Sequence, residues 1–128
     1  MKLKKILIDE NDDNKKAHYS PAIIHNNIIY VSGQLPIQKG ETKPKSNNIK
    51  EQTQVVLEKL KTILEAAGSG RNNVLRTTIY ISDISYWDEV NAVYADFFGN
   101  HRPARTIVPV TTLHFNCLIE LDAIAYVD

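Results

Sequence analysis

The chain has 128 residues, 15 Lys and Arg against 15 Asp and Glu, and a single cysteine. That length predicts one domain, residues 1–128, built around a single core. The formal net charge of zero and the scattered basic residues argue against a nucleic-acid binder that works through its overall field, and the lone Cys117 excludes an intramolecular disulfide.

The sequence has no signal-peptide pattern and no apolar run of about 18 residues, the length that suggests a membrane span. With no disulfide to form, we expect a cytoplasmic protein that makes no membrane contact. Cys117 lies in an apolar strand pattern without a cationic neighbour in sequence. We therefore expect it to be a buried small hydrophobic residue, not a reactive thiolate.

The N-terminal third of the chain predicts strands joined by polar segments. Residues 4–8 have the character of a short strand, and the polar residues 9–16 that of a loop. β-Branched and aromatic residues at 23–24 and 28–32 flank His25-Asn26-Asn27. Asparagine-rich turns between two such runs are typical of a β-hairpin.

Two helices follow from apolar periodicity. The first is predicted over residues 48–67, with Asn48 as its cap and Glu51 in the capping-box position. Ser85 is the predicted cap of the second helix, which Gly99 ends. Its buried face is predicted to consist of Trp87, Val90, Val93, Tyr94 and Phe97.

Three strands complete the pattern, over residues 74–82, 104–110 and 117–126. The link between the last two is short, which favours their pairing as antiparallel neighbours. The order β-β-α-β-α-β-β, with an extra N-terminal strand, predicts an α+β fold in which two helices cover one face of a mixed sheet. The other face stays half apolar with no helix left to cover it, which suggests a closed homo-oligomer.

Arg105 and Glu120 are charges set inside apolar strand-like runs. Removing a charge from water is costly unless a partner compensates it, so such residues are edge-exposed, paired or functional. If the last two strands form a hairpin, the two residues are near neighbours across it. The pattern alone fits a structural ion pair better than a functional pair. The functional alternative is a guanidinium fork that binds a carboxylate, beside an acid that activates water.

Other candidates are weaker from the pattern alone. Asp122 shares a strand face with Glu120, but a solvated or interface aspartate explains it better than acid–base chemistry. Gly33 ends a strand, either as an ordinary bulge or where a ligand or another backbone approaches closely, whereas Ser32 lacks a base that would make it a nucleophile. Tyr19 and Asn91 have ordinary packing and hydrogen-bonding explanations. The four histidines have no metal-ligand spacing, so no metal site is expected.

Six blocks of sequence together resemble the reactive intermediate deaminase (Rid/YjgF, endoribonuclease L-PSP-like) family. They run in the family's order over nearly the whole chain, from Tyr19 to Tyr126. The blocks are His18-Tyr19-Ser20-Pro21-Ala22, Val31-Ser32-Gly33-Gln34-Leu35-Pro36, Glu65-Ala66-Ala67-Gly68, Val90-Asn91-Ala92-Val93-Tyr94, Arg102-Pro103-Ala104-Arg105-Thr106 and Ile119-Glu120-Leu121-Asp122-Ala123-Ile124-Ala125.

The resemblance implies a chorismate-mutase-like α+β fold and a homotrimer with sites at its subunit interfaces. It implies hydrolysis of 2-imino acids, such as 2-iminobutanoate and 2-iminopropanoate and their enamine tautomers, to 2-oxo acids and ammonia. The implied partners are a small imino or oxo acid and other copies of the chain. No metal or cofactor is implied.

The resemblance also assigns roles to residues. Arg105 corresponds to the arginine that binds the substrate carboxylate. Glu120 corresponds to the acid that holds and activates water together with a backbone carbonyl near Ile107. Tyr19 is implied to reach across the interface. Ser32, Gly33 and Asn91 are implied to line or support the pocket.

The chain departs from the family pattern at three places: Ala17-His18 replaces a common Gly-Pro pair, Ile107 replaces a frequent cysteine, and residues 113–116 replace a more polar segment. Alternative functions attributed to relatives are a non-catalytic regulatory trimer that binds 2-oxo acids, an RNA-cleaving translation inhibitor and a protein-protecting chaperone. Glu120 favours the enzyme over the regulator, and the neutral charge argues against RNA cleavage.

Overall fold

The computed structural model describes residues 3–6 and 17–128, so the predicted loop at 9–16 and the end of the first predicted strand lie outside the described residues. The strands and helices are β1 Lys4–Ile6, β2 Ala22–His25, β3 Ile28–Gln34, α1 Ile49–Ala66, β4 Val74–Ile81, α2 Trp87–Phe98, β5 Ala104–Pro109 and β6 Ile119–Tyr126. This is the order predicted from sequence, including the extra N-terminal strand.

The hairpin between β2 and β3 turns on two asparagines. His25 pairs with Ile28, and Asn26 and Asn27 between them have φ values of 53° and 64°. A two-residue turn of this kind needs positive φ at both positions, which asparagine tolerates better than most side chains. The predicted hairpin is confirmed, and it sets the direction of β3 towards Ser32 and Gly33.

Helix α1 begins as predicted at its cap, with one difference. The backbone N–H of Glu51 donates to Asn48 Oδ1 at 3.0 Å. The backbone N–H of Asn48 donates to Ser46 Oγ at 2.9 Å, in place of the Glu51 carboxylate that a capping box would supply. Both donors at this helix start are therefore satisfied by side-chain oxygens.

Helix α2 starts differently from the sequence prediction. The residues 84–86 form a short 3₁₀ turn that leads directly into α2, and Asp83 caps it by accepting from the Ser85 N–H at 2.9 Å. Asp83 thus caps this turn, the predicted cap Ser85 supplies the donor, and α2 itself begins after Tyr86 without a side-chain cap. Gly99, at φ 64°, ends α2 as predicted.

The six strands form one sheet in the order β1-β2-β3-β6-β4-β5. Only the β4–β5 pair is parallel; the other pairs are antiparallel. Both helices pack on the same face, as predicted, and the core lies between them and the sheet. Its largest fully buried side chains include Leu57, Leu60, Leu64, Ile79, Ile81, Ile119 and Leu121.

The predicted pairing of the last two strands is wrong, because β4 lies between β5 and β6. Strand β5 follows the crossover helix α2 and therefore pairs in parallel with β4, as a β-α-β unit requires. The link between β5 and β6 crosses the end of β4, where Val110 N–H donates to Ile81 O at 2.8 Å and Ser82 N–H donates to Leu118 O at 3.0 Å. A short link can therefore connect β5 and β6 although β4 lies between them in the sheet.

The second face of the sheet has the half-apolar character predicted for it. Along β6, fully or nearly fully buried residues alternate with half-buried ones, and neither described helix covers the latter. The half-buried set comprises Glu120, Asp122, Ile124 and Tyr126. Tyr30, opposite Ile124 on β3, is 48% exposed. An apolar surface of this kind, rimmed by charges, is typical of an interface.

Replacing Asn48 by Ala removes the side-chain acceptor at the start of α1. We expect the free energy of unfolding to fall by about 1 kcal/mol. Urea denaturation followed by circular dichroism, at fixed protein concentration, measures the change. The exposed neighbour Asn47 is a matched control, and Asn47→Ala is expected to stay within about 0.5 kcal/mol of wild type. Equal stability of the two variants contradicts the capping role.

Candidate active site

Arg105 lies on the edge strand β5 and faces α2. It is in register with Thr77 of β4, whose hydroxyl is 2.8 Å from the Tyr94 hydroxyl of α2. Arg105 Nη1 donates to Asn91 Oδ1 at 2.9 Å. The guanidinium carbon is 4.8 Å from the Tyr94 ring centroid and 5.3 Å from that of Trp87.

These partners of Arg105 are all neutral. An amide oxygen holds one N–H, and two aromatic rings attract the cation through their π faces. None of them neutralises the charge, so the half-buried guanidinium keeps both its charge and the rest of its donor fork for an anion. The contacts orient the fork and occupy only one of its N–H donors.

Glu120 lies on the opposite face of the sheet from Arg105. It is in register with Tyr80 of β4, three residues from Thr77, and side chains an odd number of positions apart on a strand point to opposite faces. The cross-strand ion pair expected from sequence is therefore absent between these two residues of the protomer. The expectation failed because it assumed that β5 and β6 are neighbours.

A glycine makes room for the Glu120 carboxylate. The pairing of β3 with β6 shifts between Val31 and Gln34, which places Ser32 and Gly33 in a β-bulge opposite Asp122, with Gly33 next to the Glu120 carboxylate. A Cβ atom added at Gly33 would overlap the carboxylate of Glu120. The alternative of a strand-end bulge at Gly33 is thus confirmed, and the space beside this glycine is taken by the Glu120 side chain.

The Ser32 hydroxyl has a structural role. It donates to the backbone oxygen of Ser20 at 2.6 Å, and the Ser32 N–H donates to Pro21 O at 2.9 Å. These two bonds fasten the segment before β2 to the bulge. The hydroxyl is committed to a backbone acceptor, which agrees with the expectation that it is not a nucleophile.

Burial raises the pKa of Glu120 above its usual range, and the nearby Asp122 charge raises it further, while His114 opposes the shift. The Tyr80 hydroxyl donates to Asp122 Oδ2 at 3.2 Å. Within the described part of the chain, the Glu120 carboxylate itself accepts no hydrogen bond from protein. A carboxylate with raised proton affinity and open oxygens is suited to accept a proton from water.

The predicted site residues fall into two groups. Arg105 and the half-buried Ile107 lie on the face of β5 that packs towards α2, and Asn91 contacts Arg105 from α2. We refer to these three residues as the arginine group. Ser32, Gly33 and Glu120 meet on the other face and form the glutamate group. A single protomer does not bring the two groups together.

Tyr19 belongs to neither group. It is 49% exposed and lines a cavity of about 520 Å³ between α1 and the segment that follows β3. The Lys59 ammonium donates to the backbone oxygens of Leu35 and Ile37 at that cavity, both at 2.8 Å. Neither Arg105 nor Glu120 lines this cavity, so its shape is not evidence about their chemistry.

Sequence reasoning assigned Trp87 and Tyr94 to the hydrophobic core, not to the arginine group. Trp87 is in fact 37% exposed and lies beside the Arg105 cation. The spacing 87, 91, 94 places both rings and Asn91 on one stripe of α2, and that signal could have identified them. Tyr80 and His114, which surround Glu120, left no comparable signal because they come from other elements.

The segment 113–116, one of the departures from the family pattern, has an unusual backbone. Phe115 and Asn116 have φ values of 58° and 54°, and Phe115 is 54% exposed. Positive φ is uncommon for a bulky side chain and costs conformational energy. The His114 and Phe115 ring centroids are 3.7 Å apart. This short segment carries His114 towards Glu120.

Two further observations concern the described residues only. No three His, Cys, Asp or Glu side chains among them converge in a way that could hold a metal ion. No helix within residues 3–6 and 17–128 is both long and apolar enough to cross a bilayer.

Comparison with known proteins gives consistent matches. Residues 11–127 match the family described as endoribonuclease L-PSP. The chain is 40% identical over 124 residues to a RutC family protein of Pyrococcus horikoshii, covering 97% of this chain and 98% of the relative. It is 36% identical over 107 residues to the chloroplastic reactive intermediate deaminase A of Arabidopsis thaliana, covering 84% of this chain and 57% of the relative.

A solved structure gives the same result for the fold. The Rid family protein YyfA of Yersinia pestis superposes with a TM-score of 0.90 at 34% identity, covering 98% of this chain and all of that one. The YjgF-type α+β fold implied by the sequence resemblance is confirmed. The family match spans most of the chain and the fold agrees along its length, so this protein belongs to the Rid/YjgF family, the family described as endoribonuclease L-PSP.

Proposed function

We propose that this protein hydrolyses 2-imino acids to 2-oxo acids and ammonia. One observation carries the proposal: the half-buried Glu120 has open oxygens and a raised pKa, while Arg105 keeps its charge unneutralised among neutral partners. The Glu120 carboxylate can activate water, and the Arg105 guanidinium can bind a carboxylate. A relative that bears the name reactive intermediate deaminase supports the same chemistry.

Arg105 binds the substrate carboxylate in this proposal. A guanidinium fork matches a carboxylate with two parallel N–H bonds, which fixes both position and orientation. Asn91 and the rings of Tyr94 and Trp87 hold the plane of the fork, so little further ordering is needed when substrate binds.

Glu120 activates the water. The water oxygen bonds to the iminium carbon, the C=N electron pair moves to nitrogen, and Glu120 accepts the proton that the water loses. Glu120 returns this proton to the amine nitrogen. The C–N bond then breaks with its electron pair on ammonia, and the remaining hydroxyl loses its proton as the 2-oxo group forms.

The site is proposed to lie between protomers of a homotrimer. The arginine and glutamate groups occupy opposite faces of one sheet, so one protomer cannot apply both to one small substrate. The edge position of β5 and the uncovered face of β6 support a second copy as the source of the missing group. Tyr19 and the backbone at Ile107 are proposed to complete the pocket.

A regulatory protein that only binds 2-oxo acids needs the arginine group alone. The elevated proton affinity of Glu120 has no purpose in such a binder, which favours the enzyme. The formal net charge of zero argues against RNA cleavage as the function of this chain.

Arg105→Lys keeps the charge but loses the fork. Loss of one charge-assisted hydrogen bond, about 1.5–3 kcal/mol, corresponds to a fall in kcat/KM of roughly 10- to 150-fold. An amino-acid oxidase supplies the imine, semicarbazide traps it, and the free 2-oxo acid that escapes trapping is measured. Arg71→Lys is the matched control, because Arg71 also lies over a ring, that of Phe97 at 4.5 Å, and its contacts are to Phe97 and not to a site residue. Unchanged turnover in Arg105→Lys argues against the clamp.

Glu120→Gln removes the proton acceptor, and we expect turnover to fall by about 10²–10⁴-fold. Because the folded-state pKa of Glu120 is raised, its contribution to stability is present at acid pH and is lost as pH rises through that pKa. The glutamine variant does not ionise, so we expect it to unfold at higher urea than wild type at pH 7, with the difference closing at acid pH. The exposed Glu65→Gln is expected to change neither property. A variant that is fully active, or less stable at pH 7, contradicts this assignment.

Mixed oligomers test whether the site is shared between protomers. Arg105→Ala and Glu120→Gln, each inactive alone, are co-expressed in equal amounts. In a closed ring whose sites each join two neighbours, random mixing restores about a quarter of wild-type activity, because one site in four then has both residues intact. If both residues act from the same protomer, no mixed oligomer contains an intact site, and activity stays at the level of the separate variants.

A further inference from the structure

We propose that Asp122, held by the Tyr80 hydroxyl, is a positioning residue whose negative charge makes Glu120 a stronger base towards the attacking water. The inference rests on the proposed function and deepens it. It concerns a residue that does not touch the reacting atoms and acts only through Glu120.

Glu120 and Asp122 lie on the same face of β6. They are two positions apart on this strand, so both project from the face that the helices leave uncovered, about 7 Å apart along the strand. Two carboxylates on one half-buried surface repel each other when both are ionised.

Tyr80 distinguishes the two carboxylates. Its Cα is in register with Glu120, yet its hydroxyl donates to Asp122 Oδ2 at 3.2 Å. A donated hydrogen bond favours the ionised form of the acceptor and fixes its orientation. The bond fixes the position of the Asp122 carboxylate, while the oxygens of Glu120 remain open to water.

Among the residues that the structure describes, few other titratable groups lie around Glu120. The segment 114–117 brings His114, which lowers the pKa of Glu120, and the Cys117 thiol, whose own pKa is raised first by burial and then by Glu120. Strand β3 contributes only the non-titratable bulge at Ser32 and Gly33. Asp122 is thus the nearby charge that strengthens Glu120 as a base, with His114 opposing it.

Burial and the Asp122 charge act in the same direction on the pKa of Glu120. A general base is most effective when its pKa lies close to the working pH, so raising a carboxylate from its usual acid range towards neutrality increases proton transfer from water. In the proposed site, binding of the substrate carboxylate depends on Arg105 of a neighbouring copy, not on Asp122. Loss of the Asp122 charge should therefore affect turnover and its pH profile but not KM.

Asp122→Asn is the test, read out in two ways. The ¹³C NMR signal of the Glu120 carboxyl, assigned by its loss in Glu120→Gln, gives the pKa of Glu120 without substrate. The pH profile of kcat gives the acid limb in the presence of substrate. We expect both to move to lower pH, with kcat on the plateau reduced by up to about tenfold and KM unchanged.

Two further variants test the charge of Asp122 and its hydrogen bond to Tyr80 separately. Asp122→Glu keeps the charge and is expected to restore the acid limb towards wild type. Tyr80→Phe keeps the Asp122 charge but loses its hydrogen bond, so we expect a severalfold lower kcat with less displacement of the acid limb than in Asp122→Asn. The exposed Asp96→Asn is the control and should match wild type. If Asp122→Asn does not fold, Asp122→Ser is used for the same measurement.

The outcomes separate this inference from the proposed function. If wild type hydrolyses imines while Asp122→Asn leaves the Glu120 titration and the acid limb in place, the role of Asp122 is overturned and the proposed function stands. If the titration and the acid limb both move to lower pH, both hold. A wild type that hydrolyses no imine overturns the proposed function and with it the catalytic role of Asp122.

Discussion

The position of β4 between β5 and β6 is the constraint on which the rest of the structure depends. The crossover through α2 returns the chain parallel to β4, which leaves β5 at the edge of the sheet and places β6 between β3 and β4. The registers then direct Arg105 towards α2 and Glu120 to the uncovered face. Separation of the two charges is thus a consequence of strand order.

Each charge is held in a different way, and the difference suits its proposed use. The Arg105 guanidinium lies among an amide oxygen and two rings, which orient it without neutralising it. The Glu120 carboxylate is half-buried against the backbone at Gly33, and a second carboxylate lies near it, so burial first and the Asp122 charge second disfavour its ionised form and raise its pKa. One group is prepared to bind an anion and the other to accept a proton.

Several features in and around the site cost free energy. Two carboxylates near each other on β6, positive φ at the bulky Phe115, and an uncovered half-apolar sheet face each cost free energy. Association with further copies covers the apolar face, and in the proposed trimer the same contact completes the site. Assembly and catalysis would then depend on one surface.

The sequence by itself determined the local elements: the asparagine turn of the β2–β3 hairpin, the Asn48 cap, the glycine that ends α2, and the two helices on one face. These follow from dihedral preferences and apolar periodicity, which act over a few residues. It also identified Arg105, Glu120 and Gly33 as unusual, because charges in apolar runs and a glycine at a strand end are visible in the chain. Only the tertiary structure decided the strand order, the faces on which these residues lie and the roles of Tyr80, Trp87 and His114 as neighbours. Pairing between distant strands depends on how the core packs, and no local pattern encodes that.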